Sequence, residues 1–200
     1  MVAALIVAGG YLLGSIPVGY WVVRALRGED IRTQGSGNIG ATNVWRVYGR
    51  RLGLPVILLD IAKGFAPAFI GLKFSGEITG VLAGAAAMTG HWRPLYLRLA
   101  KGGKTVATAG GVAFALAPLA AACCVGTWLA IFLVGRYSSV ASITATILLP
   151  VYVWLFGGDW PVVTFGAVAA VAVLLLHKAN LRRLLDGTES RFQFRRAARA

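Results

Sequence analysis

The chain has 200 residues, 58% of them hydrophobic and only 14% charged, with a mean hydropathy of +0.72. A soluble domain is excluded, since such domains carry about 25% charged residues. The formal net charge of +13 invites a nucleic-acid reading, but the cations stand in short segments between apolar runs; that pattern belongs to membrane topology, and no nucleic-acid partner is expected.

A helical crossing takes about 20 apolar residues, and the first such run covers about 2–24. It lacks a basic leader, its first cations being Arg24 and Arg27, so it reads as a span and not as a cleavable signal. Gly14-Ser-Ile-Pro17 lies inside it: the proline predicts a kink, and the small residues let another helix approach closely.

A polar loop of about 27–52 follows, with Arg32-Thr-Gln-Gly-Ser-Gly-Asn-Ile-Gly-Ala-Thr-Asn43 and then Arg46. Gly35, Gly37 and Gly40 free the backbone to fold tightly with its N–H groups turned inward. Ser36, Asn38, Thr42 and Asn43 add short hydrogen-bonding side chains, and Arg46 adds a forked cation. These parts suit a phosphate. Because the loop adjoins an apolar span, a phosphate compound met at a lipid surface is the expected ligand.

A span of about 53–72 contains Asp60 and Lys63, where a lone charge costs roughly 2.5–3.5 kcal/mol on insertion scales. At i, i+3 they can neutralise one another, as an ion pair bracing the bundle or as a substrate contact. The next span, about 77–90, ends at Gly90-His91, and a second polar segment leads to Lys101-Gly-Gly-Lys104. That ending is no nucleotide-binding P-loop, since Arg98 stands where its first glycine belongs. It reads as a second phosphate clamp at a helix start, or as lysines marking the membrane edge.

Residues 105–135 carry no charge and are too many for one untilted crossing; Pro118 near the middle predicts a hairpin of about 105–117 and 119–135. Adjacent Cys123 and Cys124 read as small core residues. Spans of about 138–156 and 161–177 follow, with Gly157-Gly-Asp-Trp160 as a tight turn between them. Ser138 and Ser142 share a face of the first, and His177 and Asn180 share one at the end of the second. His177 is there either an interfacial residue or a catalyst.

The prediction is one all-α domain over 1–200, polytopic, with seven transmembrane helices, the N-terminus outside and a basic cytoplasmic tail of about 181–200. All Lys and Arg except Lys63 and Lys73, 18 of 20, then fall on the inner side. A single crossing over 105–135 would destroy that asymmetry. All the polar segments converge on the cytoplasmic face. No Gly-x-Ser-x-Gly elbow, no histidine beside a cysteine in sequence and no acidic cluster for magnesium is present, so no metal or cofactor is expected.

These motifs resemble one family, the bacterial acyl-phosphate:glycerol-3-phosphate acyltransferases, or PlsY family. The resemblance rests on Gly35-Ser-Gly-Asn-Ile-Gly-Ala-Thr-Asn-Val44, on Gly90-His91, Pro94 and Lys101-Gly-Gly-Lys-Thr-Val-Ala-Thr108, on Arg136-Tyr and Ala141-Ser142, and on His177-Lys-Ala-Asn180 with Arg183-Leu-Leu-Asp-Gly-Thr-Glu189. Gly14-Ser-Ile-Pro17 and Leu59-Asp-Ile-Ala-Lys-Gly-Phe65 fit as well. It implies seven transmembrane helices in the bacterial inner membrane and an active site open to the cytoplasm. The implied activity moves an acyl chain from acyl phosphate to the 1-hydroxyl of glycerol 3-phosphate, giving lysophosphatidic acid and phosphate.

Carried over residue by residue, Ser36, Arg46, Lys104, Ser142, His177 and Asn180 line the glycerol-phosphate pocket, and Asn38, Thr42 and Asn43 touch the acyl phosphate. His177, Lys104 and Asn38 are the catalytic candidates; Gly35, Gly37 and Lys101 complete the binding set. The chain departs from the family at Arg93 to Ala100, which is more basic than usual, and at Thr105, where glycine is common. Two rivals are a multi-pass organophosphate transporter, which needs a polar path through an outer half that is nearly uncharged, and a lipid-binding scaffold, for which convergent glycines serve no purpose.

Overall fold

A computed structural model describes residues 1–193; the end of the basic tail, 194–200, lies outside the described residues. Ten α-helices make up the fold, and no strand occurs among the described residues. The first two, α1 (Val2–Gly14) and α2 (Val18–Arg27), form one apolar span broken at Ser15-Ile16-Pro17. The predicted kink is there for the predicted reason: Pro17 has no N–H, and the Ile16 N–H turns back to the Leu13 carbonyl at 3.2 Å.

The polar loop holds a helix the sequence reading left out, α3 (Ala41–Tyr48). Beyond it come α4 (Arg50–Ser75), α5 (Glu77–Trp92), α6 (Val106–Leu116), α7 (Pro118–Gly135), α8 (Ser138–Leu155), α9 (Trp160–Leu176) and α10 (Lys178–Leu185). The break between α6 and α7 falls at Ala117, with Pro118 opening α7, where proline's fixed φ is an asset. Four spans are long and apolar enough to cross a bilayer, namely α1–α2, α4, α7 and α8; a fifth qualifies if α9 and α10, bent by 57°, are one span. Helices α5 and α6, of 16 and 11 residues, reach only about 24 and 17 Å against a hydrocarbon core of about 30 Å.

The molecule is arranged for lipid. Leu58, Phe74, Leu133, Trp154 and Val168 are exposed on its flanks, while Asp60, Lys63, His91, Thr108, His177 and Asn180 are buried. Apolar side chains gain little by leaving hydrocarbon, so helices in lipid associate through close packing of small residues. Gly10 and Gly14 of α1 lie on the backbone of α5 at Ala83 and Ala87, and Gly64 of α4 lies on α6 at the Thr108 carbonyl. At the polar end water returns as solvent and the hydrophobic effect with it. Ile31 and Ile39, fully buried with Val23, Val44 and Val56, each contribute about 1.5–3 kcal/mol and press the polar loop onto α2 and α4.

Gly14→Leu is expected to lower stability by about 1–3 kcal/mol through overpacking, because its side chain would collide with the Ala87 backbone. Gly9→Leu, on a face with nothing within 4 Å, is expected to change it by less than about 0.5 kcal/mol. Thermal unfolding in detergent compares the two.

Candidate functional site

The polar loop is folded around one side chain. Asn43, in the first turn of α3 and 3% exposed, accepts from the Ser36 N–H at 2.9 Å and donates to the carbonyls of Gln34 at 3.0 Å and Asn38 at 2.9 Å. Gly35 and Gly37 supply the positive φ that this turn needs, +56° and +69°. The Asn38 carboxamide accepts from the Gly40 N–H at 2.8 Å and donates to the Gly102 carbonyl at 3.5 Å. The two glycine-bearing segments therefore meet. Ser36 stays exposed on the loop, and Thr42 Oγ1 lies 3.3 Å from Ser138 Oγ at the start of α8.

The second segment returns along the end of α5: the Gly102 and Gly103 N–H groups donate to the carbonyls of Trp92 and His91 at 2.9 and 3.0 Å. This leaves Lys101 exposed and turns Lys104 inward, where its ammonium donates to Asn180 Oδ1. Burial pulls the Lys104 pKa down to about 8; Glu189 opposes the shift, while Arg183, Lys101 and Arg46 add to it. Lys104 is thus still charged at neutral pH. Thr105 takes φ +63° and ψ −2°, so the threonine does adopt the left-handed conformation usually left to glycine. For a β-branched residue that is a strained geometry, one that persists only where its surroundings impose it.

The third contribution comes from the α9–α10 bend. His177 is buried there, its Nδ1 2.8 Å from the Val173 carbonyl. A carbonyl only accepts, so Nδ1 carries the proton and Nε2 is left as an acceptor. Asn180, one turn on, donates to Glu189 Oε1 at 2.7 Å. Glu189 also accepts from Ser139 Oγ at 2.8 Å and from Arg183 Nε at 2.7 Å. Burial works to raise the Glu189 pKa, but hydrogen bonds from Asn180, Ser139 and Arg183 outweigh it and hold the carboxyl below its usual range.

Arg46 belongs to the same neighbourhood: burial lowers its pKa, Glu189 opposes that, and Arg183 reinforces it. Ser142 Oγ accepts from Trp128 Nε1 at 3.0 Å, one turn along α8 from Ser139. The expected residues from four separate stretches are thus gathered at one end of the bundle. Three partners were missed: Ser139, Arg183 and Glu189. The available signal was Glu189 itself, one of two acids, with Asp186, in a strongly basic stretch and nine positions after Asn180.

Asp60 and Lys63 do not join this cluster. They pair at 2.8 Å, and the Lys63 ammonium also donates to the Ile16 carbonyl at 2.8 Å in the α1–α2 break, so the structure favours the brace. Among the described residues no group of three or more His, Cys, Asp or Glu side chains is placed to hold a metal ion. Fixed cations with oriented donors can hold anions and stabilise charge that develops near them.

A family described as "Glycerol-3-phosphate acyltransferase" matches residues 4–187. A glycerol-3-phosphate acyltransferase of Desulforudis audaxviator is 44% identical over 192 residues, 96% of each chain; that of Aquifex aeolicus is 46% identical over 196 residues, 96% of this chain and all of the relative. The crystal structure of PlsY, an integral membrane glycerol 3-phosphate acyltransferase, in its glycerol 3-phosphate form superposes with a TM-score of 0.92 at 42% identity, covering 96% of both chains. Its lysophosphatidic acid form gives 0.90 at 40%, with the same coverage.

Glu189→Gln is expected to set an amide against donors and to weaken the charged bond to Arg183. A hydrogen bond to a charged group contributes about 1.5–3 kcal/mol, and the half-open setting of Arg183 (39% exposed) puts the loss at the lower end. A thermal midpoint unchanged from wild type in detergent would contradict this role for Glu189.

Proposed function

The chain belongs to the glycerol-3-phosphate acyltransferase family, and on that premise we propose that it transfers an acyl chain from acyl phosphate to the 1-hydroxyl of glycerol 3-phosphate, releasing lysophosphatidic acid and phosphate. Acylation of glycerol 3-phosphate is the activity of the family, and the acyl-phosphate donor follows from the likeness to PlsY. The observation that carries the site reading is the continuous chain Lys104–Asn180–Glu189, which joins the second glycine segment to α10 and, through Ser139, to α8.

In this reading Lys104, Arg46, Ser36 and Asn180 hold the phosphate of glycerol 3-phosphate. Ser142 and His177 face its glycerol part, and Nε2 of His177 accepts from the hydroxyl and aims it. The Gly35 amide, with Asn38, Thr42, Asn43 and the exposed Lys101, serves the acyl phosphate, while the Gly37 N–H, expected in the same role, donates to the Gln34 carbonyl at 2.9 Å and closes the turn. Several of these side chains are engaged in shaping the loop, Asn43 above all, so their part is to set the direction of backbone donors.

Acyl phosphate is a mixed anhydride and needs little activation. The hydroxyl oxygen attacks the carbonyl carbon, the carbon–oxygen bond to phosphate breaks, and the departing phosphate takes the hydroxyl proton. What remains for the protein is to hold two anions together against their repulsion, to align them and to stabilise the oxyanion. Immobile cations at the end of a helical bundle suit that task, and no covalent intermediate or cofactor enters.

The chain is read as one domain of seven crossings, α1–α2, α4, α5, α6, α7, α8 and α9, with the short α5 and α6 completed by the segments that adjoin them. The N-terminus is outside, the site opens to the cytoplasm, and the membrane is the bacterial inner one. The cation distribution supports that orientation.

Purified protein supplied with acyl phosphate and glycerol 3-phosphate is expected to release phosphate and lysophosphatidic acid in equal amounts, and to do neither with acyl-CoA. Lys104→Ala is expected to lose about a hundredfold or more in kcat/KM; near-normal turnover would remove Lys104 from the site. His177→Ala is expected to raise KM for glycerol 3-phosphate more than it lowers kcat. A fall of about a hundredfold in kcat at constant KM would instead make His177 the general base.

A further inference from the structure

The buried group Asp60, Lys63 and His91 takes no part in the chemistry above, yet it lies directly beneath the segment that delivers Lys104. We propose that His91, backed by the Asp60–Lys63 pair, is the positioning residue for the second glycine segment: it sets where Gly102 and Gly103 lie, and through them where Lys104 meets the substrate phosphate. The inference rests on the reading that Lys104 grips that phosphate.

Three observations converge on His91. Its own carbonyl and that of Trp92 accept from the Gly103 and Gly102 N–H groups at 3.0 and 2.9 Å, so the segment is tied to the last turn of α5. The His91 ring fills the space under Gly103 so closely that a methyl at Gly103 would collide with it at Nε2. Gly103 is glycine for this contact. On its other edge, His91 Nδ1 lies 3.7 Å from Asp60 Oδ1, and His91 is 5% exposed.

Asp60 and Lys63, 2% and 4% exposed, stand beside that edge, in contact with it but beyond hydrogen-bonding distance. Asp60 is paired with Lys63 at 2.8 Å, and Lys63 donates to the Ile16 carbonyl, next to Pro17 where the first span is broken. These buried groups lie in one row from the α1–α2 break, past α4 and the end of α5, to the segment before α6. Buried ion pairs seldom stabilise a fold better than apolar residues of similar size would; what they add is direction. Here the direction is toward Gly103.

The strain at Thr105 says why the segment needs such a support. The residue after Lys104 is a threonine held at φ +63°, a geometry that persists only when neighbours over-determine it. Two backbone hydrogen bonds and a ring under Gly103, two residues upstream, are the neighbours that do so. Without them the segment relaxes toward negative φ at Thr105 and carries Lys104 away from Asn180.

The test is steady-state kinetics of the full-length protein in detergent with acyl phosphate and glycerol 3-phosphate, run on wild type, Lys104→Ala, His91→Ala, His91→Phe and Gly103→Ala. His91→Ala removes the platform and Gly103→Ala lifts the segment off it. Each is expected to raise KM for glycerol 3-phosphate about tenfold or more while KM for acyl phosphate stays within about twofold, the mark of a lost ground-state contact to one substrate. His91→Phe keeps a ring under Gly103 and is expected to recover most of the affinity. Should His91→Ala fail to fold, Gly103→Ala and His91→Phe carry the test.

The inference is overturned if Gly103→Ala binds glycerol 3-phosphate as wild type does. It is equally overturned if the His91 variants lose activity only in proportion to folded protein, with both KM values unchanged. Lys104→Ala separates the two levels: if it keeps its affinity for glycerol 3-phosphate, the site reading falls and this inference with it. If it loses affinity while His91→Ala does not, the inference alone falls.

Discussion

The run of hydrogen bonds from Lys104 through Asn180 to Glu189 is what makes one site out of distant pieces of chain. Lys104 precedes α6, Asn180 sits in α10, and Glu189 follows it to collect Ser139 from α8 and Arg183 from α10. A buried ammonium is costly by itself, and its proton is held less firmly for that reason, with a pKa of about 8. Glu189 pairs directly with Arg183 and acts electrostatically on Lys104 and Arg46.

The surrounding fold is the inverse of a soluble protein, and the inversion serves the site. Apolar side chains face outward, and glycines and alanines let α1 pack on α5 and α4 on α6 backbone to backbone. Those contacts involve no side-chain rotamers that could exchange and so hold the helices at close range. A reaction between two anions with an activated acyl donor asks for little beyond placement, so rigidity is the property most useful to an acyltransferase of glycerol 3-phosphate. Thr105, a β-branched residue held at positive φ, directly follows Lys104 in the chain.

Much of this was legible in the chain because lipid imposes a simple rule: apolar runs become helices, and prolines at 17 and 118 mark where they break. The glycine-rich segments announced themselves by composition, since few other residues allow such turns. Helix α3 was not legible, being eight residues with polar side chains in half its positions. Lys101 and Lys104 look alike in sequence; only the return of the segment along α5 exposes one and half-buries the other. Glu189 was hidden for a similar reason. Two of its partners, Asn180 and Ser139, lie 9 and 50 positions away, separations that no periodicity encodes, and an acid in a basic stretch looks like ordinary surface charge. The pairing of Asp60 with Lys63 could be read from their spacing, but the Ile16 carbonyl and His91 beside the pair come from the α1–α2 break and from α5.

The central claim is that these stretches together form one phosphate-binding pocket. Determining the structure of this chain with glycerol 3-phosphate bound tests it most directly. The phosphate is expected within hydrogen-bonding distance of Lys104 Nζ, with Ser36, Arg46 and Asn180 around it and the glycerol turned toward His177 Nε2. A phosphate bound away from Lys104, or held by the first glycine loop alone with the α9–α10 bend unoccupied, would contradict it.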